Sequence, residues 1–232
     1  MTDGWGGLAL VSLVFALAHA VPARPTARAK LTAWLGERHY LWLYSAISLG
    51  LLYWLLLAAG SAPYVQLWPQ AHWQAWLVNL VMPFVVLLAA VSVGRPNPFS
   101  FGGSSGDYDP EHLGINALSR HPLLLAIVLW ALAHMAANGD LAHVLLFGLF
   151  ALIGVLGMPM LDRRRRRAWG ADVFAERARN TSLWPGAAWL SGRAKFGSDV
   201  LTGRRLVIAV VAYAALLWLH PLLLGVSPLQ LY

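Results

Sequence analysis

The feature that most restricts the fold is a series of apolar runs, each about as long as a helix needs to be to cross the roughly 30 Å hydrocarbon core of a bilayer. They cover residues 5–22, 40–60, 74–93, 121–138, 141–161 and 206–224. Charged residues make up only 12% of the chain and hydrophobic ones 59%. A soluble domain carries about a quarter and a half respectively. The expectation is an all-α protein: a polytopic membrane helix bundle of about six transmembrane helices, built as a single integral-membrane domain over residues 1–232.

The basic residues set its orientation. Arg24, Arg28, Lys30 and Arg38 fall in the first connection, Arg95 and Arg120 in the third, and the rest in the fifth, 162–205. The second connection, 61–73, and the turn Asn138-Gly139-Asp140 hold none, and neither do the two tails. Lys and Arg are retained on the cytoplasmic side, which predicts cytoplasmic odd-numbered connections and both termini outside. Ala18-His19-Ala20 has the form of a signal-peptidase site, but Asp3 stands where a basic region belongs, so the first run is expected to be a retained span. Trp5, Trp42, Trp68, Trp73, Trp76 and Trp218 near the span ends fit an aromatic belt.

Local features add detail. Pro83 is expected to break the third span, and the Asn138-Gly139 turn should pack spans four and five side by side. The third connection is rich in turn residues and too long for a simple link, which predicts a cytoplasmic flap or a disordered segment. The fifth interleaves Arg163–Arg167 with Trp169, Phe174, Trp184, Trp189 and Phe196. Such a segment suits an anionic membrane surface. RNA-binding segments share the pattern, but five arginines directly after a span are chiefly an orientation signal, and no nucleic-acid partner is expected.

An ionisable side chain within a membrane span is costly and points to function. Two apolar runs carry the same motif, Phe15-Ala16-Leu17-Ala18-His19 and Trp130-Ala131-Leu132-Ala133-His134. Small residues beside each imidazole leave room for a flat, bulky ligand. Imidazoles from two helices are a common means of holding haem iron. With no cysteine in the chain, thiolate sites are excluded, and no buried carboxylates are expected that could offer a di-iron set. The alternative is that each imidazole bonds a carbonyl of a neighbouring helix as polar glue. His39, His72, His112, His143 and His220 lie at span edges or in connections and read as interfacial. His121 follows Arg120 and opens a helix at Pro122, a place suited to an anionic group such as a haem propionate or a phosphate. It lies about 20 Å along its helix from His134. By depth His121 is nearer His19, so spacing favours that pair and leaves His121 as a rival ligand.

Arg120-His121-Pro122 through His134 and Asn138-Gly139-Asp140, with Gly94-Arg95-Pro96-Asn97-Pro98 before it and His19 in the first span, resembles the NnrU family of bacterial membrane proteins over nearly the whole chain. The resemblance implies the bacterial cytoplasmic membrane, a link to denitrification and nitric oxide metabolism, and kinship with the 15-cis-ζ-carotene isomerases, which are haem b membrane enzymes. Carried over by position, the haem ligands fall on His19 and His134, with Arg120 or Arg24 as propionate partners. The plant enzymes have a cysteine where this chain has Ala131, so ligand exchange through that thiol is unavailable here. The implied function is a haem b protein acting on an apolar, membrane-dissolved substrate as an isomerase, or working with a redox partner in nitric oxide handling. Arg120-His121-Pro122 is also similar to the element that lines the S-adenosylmethionine pocket of isoprenylcysteine carboxyl methyltransferases. Asp162, Gly170 and Phe174 follow that pattern only loosely and without its tyrosines, which weakens a methyltransferase reading. A cofactor-free accessory protein is the third alternative.

Overall fold

Each apolar run winds into a helix, the form that satisfies backbone polar groups within one segment when no water is at hand. The computed structural model describes residues 3–22, 24–104, 106–197 and 200–229. Its elements in chain order are α1 (Asp3–Ala20), α2 (Pro25–Leu35), α3 (Glu37–Ser61), α4 (His72–Ser92), α5 (Pro122–Asn138), α6 (Leu141–Trp169), α7 (Ala171–Ala178), α8 (Ala187–Leu190) and α9 (Gly203–Leu224), with a 3₁₀ turn at Gly114–Ala117. Among the described residues, β-pairing is limited to isolated bridges.

Among the described residues, four helices, α3, α4, α6 and α9, are long and apolar enough to cross a membrane. The first and fourth runs form shorter apolar helices, Gly4–Ala20 and Pro122–Asn138. The 17 residues of α5 reach about 25 Å, near the lower limit for a span. Lipid contact is written on the outer faces. Only 6% of the most apolar stretch of α9 is buried, and Val207, Val210, Val211 and Trp218 stand exposed. An apolar surface of that extent belongs in hydrocarbon. The chain is a multi-pass helical membrane protein.

The chain divides into two compact units, Met1–Pro69 with Gly139–Leu146, and Gln70–Asn138 with Phe147–Tyr232. In the first, α1 and α2 both pack on α3. Leu8, Val11, Phe15 and Leu55 are buried there. Gly4 permits the close approach of α1, since a Cβ on it would lie 2.7 Å from the Ser61 carbonyl oxygen. The turn at the head of α6 is tied in by amides of Leu67 and Trp68, which donate to the Gly139 carbonyl, and by Leu141 N–H to Val65 O.

In the second unit α4 packs on both α5 and α9. Its core holds Val85, Leu88, Val91, Leu124, Leu125, Val128 and Met158. Helices α5 and α6 meet as the short turn requires. Trp130 packs edge-on against Phe147 and Phe150, and a Cβ on Gly154 would lie 2.4 Å from a Val128 methyl.

Three expectations are corrected. Helix α4 runs unbroken through Pro83; neighbouring helices and local adjustment make proline tolerable in such helices. The arginine run, expected in the connection after a span ending at 161, forms the last turns of α6, which ends only at Gly170, φ 88°. Arginine is a good helix former, and glycine is the first residue there at ease in that backbone conformation. The third connection is neither flap nor disorder over its described residues. It folds back on itself through Gly94 N–H to Gly102 O, Asn97 N–H to Ser104 O and Ser104 N–H to Arg95 O. Phe99, Asn116, Ala117 and Ser119 within it are buried.

Candidate functional site

The two duplicated motifs share one local geometry. His19 Nδ1 lies 2.8 Å from the carbonyl oxygen of Phe15, and His134 Nδ1 lies 2.9 Å from that of Trp130. A carbonyl only accepts, so Nδ1 must be the protonated nitrogen of each ring, and Nε2 keeps its lone pair in the neutral imidazole. No described residue hydrogen-bonds Nε2 of either ring. The spacing of four explains the bond, because residue i−4 lies on the same helix face one turn back. Each bond is made to the residue's own helix, which differs from interhelical polar glue.

Aromatic rings hold both imidazoles. In the first unit His19 stacks on Phe15, with centroids 4.1 Å apart, and Tyr44 meets it edge-on at 5.7 Å. In the second, His134 lies between Trp130 at 5.6 Å and Phe147 at 5.2 Å. Asn138, one turn on, donates to the His134 carbonyl at 2.7 Å. Ala131 is fully buried and Ala133 nearly so.

His121 has other surroundings. It is fully buried, and its Nε2 lies 3.0 Å from Asp162 Oδ1. A carboxylate accepts, so Nε2–H donates to it. Its Nδ1 is buried with no partner among the described residues. The other Asp162 oxygen receives Arg120. Arg120 also donates through Nε to Thr181 Oγ1 at 2.8 Å. Its guanidinium lies 5.4 Å from the ring centroids of both Phe99 and Phe174. The anion expected beside Arg120 and His121 is therefore the chain's own Asp162.

Asn97 locks the folded connection to this node. Its side-chain amide donates to Asn116 Oδ1 and to the Arg120 carbonyl at 2.9 and 3.0 Å. Its Oδ1 accepts the amides of Phe99 and Ser100. Asn116 in turn donates to the Pro96 carbonyl. Every polar atom of the Asn97 side chain is thus used, as burial demands. Burial pushes the Tyr108 phenol well above its ordinary value, so it stays protonated and donates to the Arg177 carbonyl at 3.0 Å.

Of the residues singled out by sequence, Arg120 and His121 come together, with Asp162 as their common partner. His134 sits 13 positions on from His121 along α5, and Arg24 is exposed just before α2. Sequence reasoning met Asp162 only as a loose echo of the methyltransferase pattern and Asn97 only as part of the motif behind the family resemblance, and gave neither a role. The signal for Asp162 was available: it is the sole acid in α6, set directly before five arginines.

Residues 7–228 match the model of the family described as NnrU protein. The chain belongs to the NnrU family. It is similar to the chloroplastic 15-cis-zeta-carotene isomerase of Arabidopsis thaliana, 28% identical over 94% of this chain and 60% of that protein. It is also similar to the chloroplastic enzyme of the same name from Zea mays, 26% identical over 82% of this chain and 52% of that one. The chain thus spans between half and two thirds of these relatives' length. No solved structure matches it.

Among the described residues, no three His, Asp or Glu side chains cluster as a metal site would require. Haem iron makes a smaller demand, because the porphyrin supplies four of its ligands and the protein one or two. A half-buried imidazole whose Nδ1–H is held by a backbone carbonyl and whose Nε2 is available would suit a haem ligand. His19 and His134 meet that description. His121 differs: Asp162 holds its Nε2–H, so only Nδ1 has a lone pair to offer, in a ring that is fully buried. Arg120 is engaged by Asp162, Thr181 and two aromatic rings, which leaves exposed Arg24 as the better provided of the two candidates for a propionate.

Proposed function

We propose that this NnrU family member is an integral-membrane haem b protein that acts, as its carotene isomerase relatives do, on an apolar substrate dissolved in the bilayer. His19 and His134 would hold the iron through Nε2. The observation that carries this reading is the repeated bond from Nδ1 to the carbonyl four residues back, which fixes the tautomer and raises the basicity of the other nitrogen. Bound haem supplies Lewis-acid or one-electron chemistry. The chain's own part is to orient the two imidazoles, to surround them with aromatic rings and alanines, and to open its apolar faces to lipid. With Ala131 in place of a thiol, no sulfur ligand competes at that position. The resemblance behind the proposed site also links the family to bacterial nitric oxide metabolism in the cytoplasmic membrane, and the haem assignment serves that context equally.

The test is haem content and the Soret band of the purified chain, wild type against His19→Ala, His134→Ala and His121→Ala. Wild type is expected to carry haem b. His19→Ala and His134→Ala are each expected to lose haem or shift the band, while His121→Ala keeps the band where it was. A protein that loads no haem, or whose spectrum is indifferent to both His19 and His134, would overturn the reading.

A further inference from the structure

The second unit holds a cavity of about 310 Å³ between the folded connection and the ends of α6 and α7, lined by Asn97, Ser100, Ser104, Arg165, Trp169 and Arg177 among others. Among the described residues, no acidic one lines it. Three other arginines of the unit are neutralised or tied: Arg120 by Asp162, Arg179 by Glu111 and Glu176, Arg205 by the Ala90 and Val93 carbonyls. Arg177 is different. Its guanidinium lies over the Trp169 ring, 4.8 Å from the centroid, and among the described residues no carboxylate pairs with it. Arg165 lies near the same ring at 5.6 Å. A π face holds a cation in place without cancelling its charge. Arg177 is therefore fixed at the cavity with no described carboxylate to cancel its charge, and Arg165 stands at the same ring.

A second observation points the same way. Ser100 is 5% exposed, and its hydroxyl is buried with no hydrogen-bond partner among the described residues. Buried hydroxyls are normally satisfied, so an orphan on a cavity wall implies a partner that comes and goes. The wall itself is rigid. A Cβ on Gly103 would lie 2.5 Å from the Asn97 carbonyl oxygen, and Asn97 is bonded on every side.

We propose that this cavity binds the phosphate group of a small phosphorylated ligand, with Arg177 and Arg165 meeting its charge and Ser100 donating a hydrogen bond. Two guanidinium forks and a hydroxyl offer more donors than a planar carboxylate takes up, whereas a phosphate presents three strong acceptor oxygens. The volume exceeds that of a phosphate alone and leaves room for the group that carries it. None of its lining residues is a candidate haem ligand, and the proposal does not depend on the haem assignment.

Two sources share this chemistry, a soluble phosphoester and a phospholipid headgroup. The thermal unfolding midpoint of the full chain in neutral detergent is to be followed against inorganic phosphate, with ionic strength held constant by chloride. Lipid retention is to be measured by native mass spectrometry after reconstitution in phosphatidylglycerol or phosphatidylcholine. A saturable rise of the midpoint with phosphate that weakens at least tenfold in Arg177→Gln, less in Arg177→Lys, and several-fold in Ser100→Ala supports a soluble ligand. Retention of phosphatidylglycerol over phosphatidylcholine, lost in Arg177→Gln, supports the headgroup. Arg177 is exposed on α7, so its variants test charge rather than folding. The proposal is overturned if neither probe binds, or if binding is the same in Arg177→Gln as in wild type.

Discussion

At the scale of single residues, the node of Arg120, His121 and Asp162 carries the highest stake. Its side chains are 12%, 0% and 15% exposed, so the charges sit largely out of water. Removing one partner of such a pair leaves the other uncompensated, at a cost of about 3–5 kcal/mol. Asp162→Asn is expected to lower the thermal midpoint by several degrees and Asp162→Leu by more, measured in detergent. Glu111→Ala removes a partner of Arg179, whose ion pairs are open to solvent, and is expected to leave the midpoint unchanged because water screens exposed pairs. Equal losses in Asp162→Asn and Glu111→Ala would show that burial does not govern this node. The orphan Nδ1 of His121 adds a second reading: His121→Phe removes an unsatisfied atom but also the bond to Asp162, so it is expected to destabilise less than Asp162→Leu.

At the scale of elements, the contact of α5 with α6 depends on the absence of a side chain. Gly154 faces Val128 with no room for a methyl group and lies 3.1 Å, by its would-be Cβ, from the Leu124 carbonyl oxygen. Gly154→Val is expected to cost about 1–3 kcal/mol through overpacking, read as a lower unfolding midpoint, and Val128→Ala in the same chain is expected to recover part of it. Gly50 has open space where a Cβ would go, so Gly50→Val is expected to leave the midpoint nearly unchanged. The helices themselves were legible in the sequence because length and hydropathy alone decide them. Their ends were less so. Five arginines read as part of the connection after the fifth span because charge signals a boundary, yet arginine does not break a helix, and α6 carries them to Gly170. The turn residues of the third connection read as a flap or a disordered segment, although their turns fold on a buried Asn97 whose bonds reach residues 19 and 23 positions away. Such long-range pairings have no local signature.

At the scale of the whole molecule, the alternation of basic and bare connections makes a clean prediction, because the chain has no cysteine of its own. Tyr64→Cys in the second connection is expected to react with a membrane-impermeant maleimide added to intact cells. Trp184→Cys in the fifth is expected to react only after the membrane is opened. Both positions are exposed; the reverse pattern would invert the topology. The histidine motif was legible at this scale as a repeat, and the carbonyl that fixes each ring follows from a spacing of four. The node around Asp162 was not, because its members lie 42 and 41 positions apart in sequence. What the haem assignment most directly requires is a pair of neutral imidazoles on one iron, and the electron paramagnetic resonance spectrum of the oxidised, purified wild-type protein reads that ligation. The predicted result is a low-spin ferric haem with the g-values of two nitrogen ligands, converted to a high-spin signal in His19→Ala and in His134→Ala. A preparation without haem, or a wild-type spectrum that is high-spin from the start, would contradict it.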